Sequence, residues 1–174
     1  MTDDPPPPGE ARAVSPSPAP TLATTLLVAA VIVHDRDSDR VLMLRRGPNA
    51  KVAPGSWDLP VGKNEPGEPI TLSAVRELRE ETGLAVAAPD LRLAHVVHGR
   101  AGAEAPGGFL TVVLATTRWA GEPENREPEK HSRLAWVPIG APPEETYAPA
   151  AEAIAGYRAG RPSVVLTGWD GMPS

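Results

Sequence analysis

The chain has 174 residues, 17 basic side chains against 22 acidic ones, a formal net charge of −5 and no cysteine. This length suits a single domain able to bury a sizeable core. The acidic balance excludes the broad basic face with which nucleic-acid polymers are bound, and the lack of thiols excludes disulfides and thiolate metal sites.

In chain order, residues 1–20 carry Asp3, Asp4, the run from Pro5 to Pro8 and two Ser-Pro pairs, with almost nothing to bury. They read as a disordered, polyproline-like tail, and residues 21–170 as the domain. Residues 21–34 and 41–45 are apolar runs joined by the polar stretch Asp35-Arg36-Asp37-Ser38-Asp39, which predicts a hairpin. The run from Leu26 to Val33 follows an acid-containing tail and falls far short of the about 20 apolar residues that span a bilayer. It therefore reads as buried strand rather than secretory or membrane segment, and the protein is expected to be cytoplasmic with no membrane partner.

Residues 47–55 form a loop rich in turn formers, and Trp57-Asp58-Leu59-Pro60 leads into a second loop over residues 62–69. A helix is predicted over residues 70–82, with Ile70 or Leu72, Ala74 or Val75, and Leu78 at helical spacing and Gly83 as its stop. Residues 91–98 and 109–119 read as strands, residues 134–137 as a short one. Residues 147–158 suit a second helix with Ala150, Ile154 and Tyr157 or Ala153 on one side, ended by Gly160. Strands with two helices imply an α/β or α+β domain. His95 and His98 are three apart on a strand, so they face opposite ways and make a poor metal pair. Trp57, Trp119, Trp136 and Trp169 read as core or edge packing.

The chemistry concentrates on the first helix. Glu77, Glu80 and Glu81 stand at i, i+3 and i+4 and so share one helix face. Like charges so placed cost about 0.2–0.5 kcal/mol per pair. Taken alone they read either as an ordinary solvated face or as a platform for divalent cations, whose preferred ligands include carboxylate oxygens.

The segment from Gly62 to Leu84 resembles the Nudix box, G-x5-E-x7-R-E-U-x-E-E-x-G-U, with U a bulky apolar residue. Gly62, Glu68, Arg76, Glu77, Leu78, Glu80, Glu81, Gly83 and Leu84 match its fixed positions. The resemblance implies an α/β/α sandwich with a mixed central sheet, in which the box is a catalytic loop-helix-loop holding Mg²⁺ or Mn²⁺. It implies hydrolysis of a diphosphate linkage in a nucleoside di- or triphosphate. Carried over by position, Glu80 and Glu81 are metal ligands, Glu77 is a third ligand or an orienting carboxylate, and the Gly62 carbonyl is an additional ligand. Glu68 and Arg76 form the salt bridge that fixes loop on helix.

The stretch from Gly121 to Lys130 resembles the G-E-P-x-N-x-E-P-x-K segment of nucleotide-type (MutT-like) members. It offers Glu129 and Glu127, in that order, as further catalytic carboxylates. Arg45, Arg46, Lys63 and Asn125 are candidates for substrate binding. The marks of other subgroups are missing: Arg100 replaces the proline of ADP-ribose members, and Ala101 and Gly102 replace the tyrosine of dinucleoside polyphosphate members. The resemblance thus points to an NTP, dNTP or modified nucleotide, cleaved to nucleoside monophosphate and pyrophosphate. Hydrolysis of a non-nucleotide diphosphate such as a prenyl diphosphate, and a non-catalytic metal- or nucleotide-binding regulatory domain, are the alternatives. The expected partner is a small-molecule substrate, and the family admits a homodimer.

Overall fold

A computed structural model describes residues 24–100 and 107–169. The expected disordered tail over residues 1–20 lies outside the described residues. The elements run β1 (Leu26–Asp35), β2 (Arg40–Arg46), β3 (Trp57–Asp58), β4 (Val61–Lys63), α1 (Ile70–Thr82), β5 (Arg92–Gly99), β6 (Phe109–Thr116), β7 (His131–Pro138), α2 (Ala148–Arg158) and β8 (Val164–Thr167). The strands make one mixed sheet in the order β3-β2-β1-β6-β5-β8, with β4 also paired to β1 and β7 to β2. β1 is the hub: it runs parallel to β6 from Leu26 to Val33, and antiparallel to β4 and, at His34 and Asp35, to the start of β2.

Alternation along β1 divides the interior in two. Ala29, Val31 and Val33 point to one side and pack with Ala74 and Leu78 of α1. Ala30 and Ile32 point to the other and pack with Ala150, Ala153 and Ile154 of α2. Period-2 side-chain alternation thus builds both halves of an α/β/α sandwich from a single strand. In β2 the same rule sends Leu42 to the α1 side and Val41 and Met43 to the α2 side.

α1 occupies the predicted residues and ends as expected: Gly83 is left-handed at φ 75° and its N–H closes on the Arg79 carbonyl. Its buried face differs from a purely apolar stripe. Leu72 is exposed, while Ser73, Glu81 and Thr82 are buried beside Ala74 and Leu78. Polar groups replace apolar ones there because this face meets the loop before the helix as well as the sheet. β1 begins later than residue 21 and β6 ends before residue 119. β7 is longer than its apolar run, since its first half, His131-Ser132-Arg133, is polar yet pairs with Arg45 and Arg46. β8, an edge strand parallel to β5, has no counterpart in the sequence reading.

Candidate active site

The loop before α1 is held against the middle of the sheet. Val28, Ala29 and Ala30 pair with Lys63, Gly62 and Val61, and the Asn64 N–H reaches the Leu27 carbonyl at 3.0 Å. Its far end is tied to the helix by side chains. The Ser73 hydroxyl donates to Glu68 Oε2 at 2.6 Å, and Asn64 Nδ2 donates to the Ser73 hydroxyl and to the Glu68 carbonyl, each at 2.7 Å. Arg76 closes the loop, its Nε and Nη2 each 3.0 Å from the two oxygens of Glu68 and its Nη2 also 3.0 Å from the Lys63 carbonyl. These bonds, Arg76's first, hold the Glu68 carboxyl down at about 2. The box salt bridge is therefore present, and Asn64 and Ser73 join it.

The same guanidinium turns toward the helix carboxylates. Nη1 lies 2.7 Å from Glu77 Oε1 and 3.1 Å from Glu80 Oε2. Gly62 sits directly beneath Glu77: a Cβ there would come within 1.8 Å of the Glu77 carboxyl carbon. Only glycine leaves room for that carboxylate against the loop backbone.

Glu81 is 4 % exposed, with Oε2 accepting the Val61 N–H at 2.9 Å. Burial raises its carboxyl well above the usual range, and the charges of Glu77, Glu127 and Asp58 push the same way. Burial also raises Glu77. Asp58 is buried too and is raised despite its bond of 2.6 Å from Arg46 Nη2. His131 faces this group with Nε2 3.6 Å from Glu81 Oε1, and burial lowers its pKa. Glu81, Glu127 and His131 each present a ligand atom within 4.8 Å of the others.

Glu77, Glu81 and His131 line a cleft of about 470 Å³ whose walls also include Arg46, Lys51, Gly62, Lys63, Glu129 and Lys130. Glu81 is buried at its floor, Glu77 and Arg46 are half-buried, and Lys51, Lys63, Glu129 and Lys130 are exposed at its rim. Of the residues singled out from the sequence, Gly62, Lys63, Glu77, Glu81, Glu129 and Arg46 thus come together. Glu80 is half-exposed and borders the adjoining groove with Glu127 and Glu129. Arg45 points elsewhere, donating from Nε to the Gly55 carbonyl. Asn125 braces its own loop, donating to the His131 carbonyl at 2.7 Å and accepting from the Glu127 N–H. Neither Arg45 nor Asn125 lines the cleft. Asp58 and His131 were missed, because Asp58 stands as a lone polar residue between Trp57 and Leu59, His131 is one of a polar run from Glu129 to Arg133, and each meets the helix only through β-sheet pairing.

Comparison with protein families matches residues 24–156 to the NUDIX domain. The chain belongs to the Nudix family. Its fold is shared with a MutT NUDIX hydrolase from Burkholderia pseudomallei, at 26 % identity and a TM-score of 0.67 over 76 % of this chain and 97 % of that one. A MutT protein from Bacillus halodurans aligns at 26 % identity and a TM-score of 0.58 over 75 % and 79 % of the two chains. A NUDIX hydrolase from Nitrosomonas europaea, at 22 % identity and a TM-score of 0.63 over 79 % and 90 %, shares the fold. No curated protein matches the chain. As a Nudix hydrolase it is an enzyme of the pyrophosphohydrolase class, acting on small molecules, and no helix among the described residues is long and apolar enough to cross a membrane.

Nudix enzymes use divalent metal, and this donor set fits one. The buried Glu81 carboxylate is crowded by the like charges of Glu77, Glu127 and Asp58 with no lysine or arginine among the described residues paired to it, a glycine keeps its backbone bare beneath Glu77, and the buried His131 Nδ1 has no hydrogen-bond partner. Hard oxygen donors at such density are what a divalent ion neutralises.

Proposed function

We propose that this Nudix hydrolase cleaves nucleoside triphosphates or modified nucleotides to the monophosphate and pyrophosphate, with Mg²⁺ or Mn²⁺ held by Glu77, Glu80, Glu81 and the Gly62 carbonyl. The observation that carries the reading is the cleft itself, in which the buried Glu81 and half-buried Glu77 face Arg46 and the exposed Lys51, Lys63 and Lys130. A polyphosphate carries several negative charges, which the cationic rim meets while the acidic floor holds counter-ions against them. When bound, the metal supplies charge neutralisation and an activated water.

The residues of the chain do the rest. Arg76 keeps Glu77 and Glu80 in place from behind, bonded to both. Glu81 is fixed by the Val61 N–H, so its remaining oxygen faces His131 and the cleft. Glu129 lines the cleft from the opposite loop, where it accepts the proton of the attacking water, with Glu127 beside Glu81 as its neighbour in that loop. The polar, open cleft suits a small-molecule substrate.

The test is pyrophosphate and phosphate release with Mg²⁺ or Mn²⁺ across canonical and oxidised dNTPs, nucleotide sugars, dinucleotides and prenyl diphosphates, with Glu81→Gln as control. Metal-dependent pyrophosphate release from triphosphates that the control abolishes is the expected result. Turnover confined to substrates without a base would move the assignment to a non-nucleotide diphosphate. Tight binding without any turnover would move it to a regulatory domain.

A further inference from the structure

We propose that His131 supplies an imidazole nitrogen ligand, alongside Glu81 and Glu127, to a divalent-ion position that selects a transition metal such as Mn²⁺ over Mg²⁺. The inference rests on the metal-dependent reading above and adds to it a ligand outside the glutamate motif.

The His131 residue is only 8 % exposed, yet its hydrogen-bonding is poor. Nδ1 is buried without a partner, and Nε2 stands 3.6 Å from Glu81 Oε1, beyond hydrogen-bonding distance. A buried imidazole ordinarily has its nitrogens satisfied. The spacing instead suits an ion between the two side chains. Ligands about 2.1 Å from an octahedral ion lie roughly 3 Å apart when adjacent and roughly 4.2 Å when opposite. The 3.6 Å between Nε2 and Glu81 is within about 0.6 Å of the adjacent-ligand spacing, and the ligand atoms of Glu81, Glu127 and His131 all lie within 4.8 Å.

The surroundings fix the imidazole there. The His131 N–H donates to the Glu127 carbonyl at 2.9 Å, and its own carbonyl accepts from Asn125 Nδ2. One turn of loop therefore sets the carboxylate and the imidazole together. This also gives Asn125 a role as a positioning residue. The donor chemistry then decides the metal. Mg²⁺ takes oxygen ligands and keeps its waters, whereas affinity for nitrogen donors rises along the first-row transition series.

The experiment is Mn²⁺ electron spin-echo envelope modulation on the full chain, in a nitrogen-free buffer. The expected spectrum shows modulation from a coordinated imidazole ¹⁴N, which changes to the ¹⁵N pattern when the unmutated protein carries ¹⁵N-histidine. His131→Gln should abolish the modulation and reduce the Mn²⁺-over-Mg²⁺ affinity ratio, measured by competition titration, by tenfold or more. His98→Gln, on β5 against Trp169, should leave both unchanged. Bound Mn²⁺ without nitrogen modulation in the isotope-labelled pair would overturn the assignment while leaving the hydrolase reading in place. Failure of Mn²⁺ to bind at all would overturn both.

Discussion

Replacing Gly62 by alanine isolates the fit between loop and carboxylate. Gly62 is not among the residues in the left-handed region, so its backbone accepts alanine and only the new methyl matters. That methyl would lie 1.8 Å from the Glu77 carboxyl carbon, against about 3.4 Å for ordinary contact. Glu77 must therefore move by roughly 1.6 Å, breaking its 2.7 Å bond from Arg76. A displacement of about 1 Å at a reacting centre reduces rate on the order of 100-fold, which corresponds to about 2.7 kcal/mol of lost transition-state stabilisation. Glu77 is a flexible side chain near the cleft surface, so the fold should survive. The expected result for Gly62→Ala is a fall in kcat/KM of about 100-fold or more, with a urea midpoint close to that of the parent. Turnover within about threefold of the parent by a folded variant would refute the reasoning, since it would show that the position of Glu77 does not matter to the chemistry.

Glu81→Gln should behave oppositely with and without metal. In chelator it should be at least as stable as the parent, because a buried charge crowded by three other carboxylates is removed while the Val61 N–H keeps an acceptor. With Mg²⁺ at about 100 times its Kd, the parent should gain about 2.7 kcal/mol, or roughly 5–10 °C in Tm, and the variant little. Differential scanning fluorimetry in EDTA and in Mg²⁺ measures both. Arg76→Lys should lower stability and turnover together, since an ammonium cannot reach Glu68, Glu77, Glu80 and the Lys63 carbonyl at once; a denaturant midpoint equal to the parent's would contradict this. Leu78→Ala, at a fully buried position on the sheet-facing side of α1, should cost about 2–5 kcal/mol in urea unfolding.

His95 gives a pH dependence. It is 2 % exposed with Nε2 unpartnered, and burial lowers its pKa against the opposing charge of Glu152. Below the ordinary value of 6.5 the unfolded chain binds a proton that the folded one refuses, so stability falls as pH drops from there toward the lowered folded value. Because the raised carboxyls of Glu81 and Glu77 act the opposite way, the measurement is the difference in urea midpoint between the parent and His95→Gln in EDTA, which should shift against the parent as pH falls from 7.5 to 5. A difference that stays constant with pH would remove His95 as the source of this dependence.

What the sequence disclosed followed from local rules. α1, its glycine stop and its three glutamates were legible because helical spacing and the box place them within one stretch of chain. The second helix was legible from its alanine-rich stripe. The partners brought by the sheet were not. Asp58 reaches the site through β3 and His131 through β7, and both pair with β2 at Leu44 and Arg46, more than ten residues away in sequence. Arg45 and Arg46 look equivalent as a dipeptide, but strand alternation sends one to the Gly55 carbonyl and the other to Asp58 and the cleft. β8 escaped notice because half of its residues are exposed apolar ones at a sheet edge, a pattern with no buried face to mark it.

The seam between β4 and β1 bears on how such an enzyme changes over time. The backbone that carries Gly62 is laced to the strand that feeds both cores. Amide exchange at Asn64 should then be as slow as at Val31, because the N–H of each closes across this seam, onto the Leu27 and Pro60 carbonyls. Adaptation to new substrates has little room at this seam, where any shift would be felt as lost stability. It has more at the opposite rim, around Lys51 and Glu129, where the chain is held by turns rather than by the central strand.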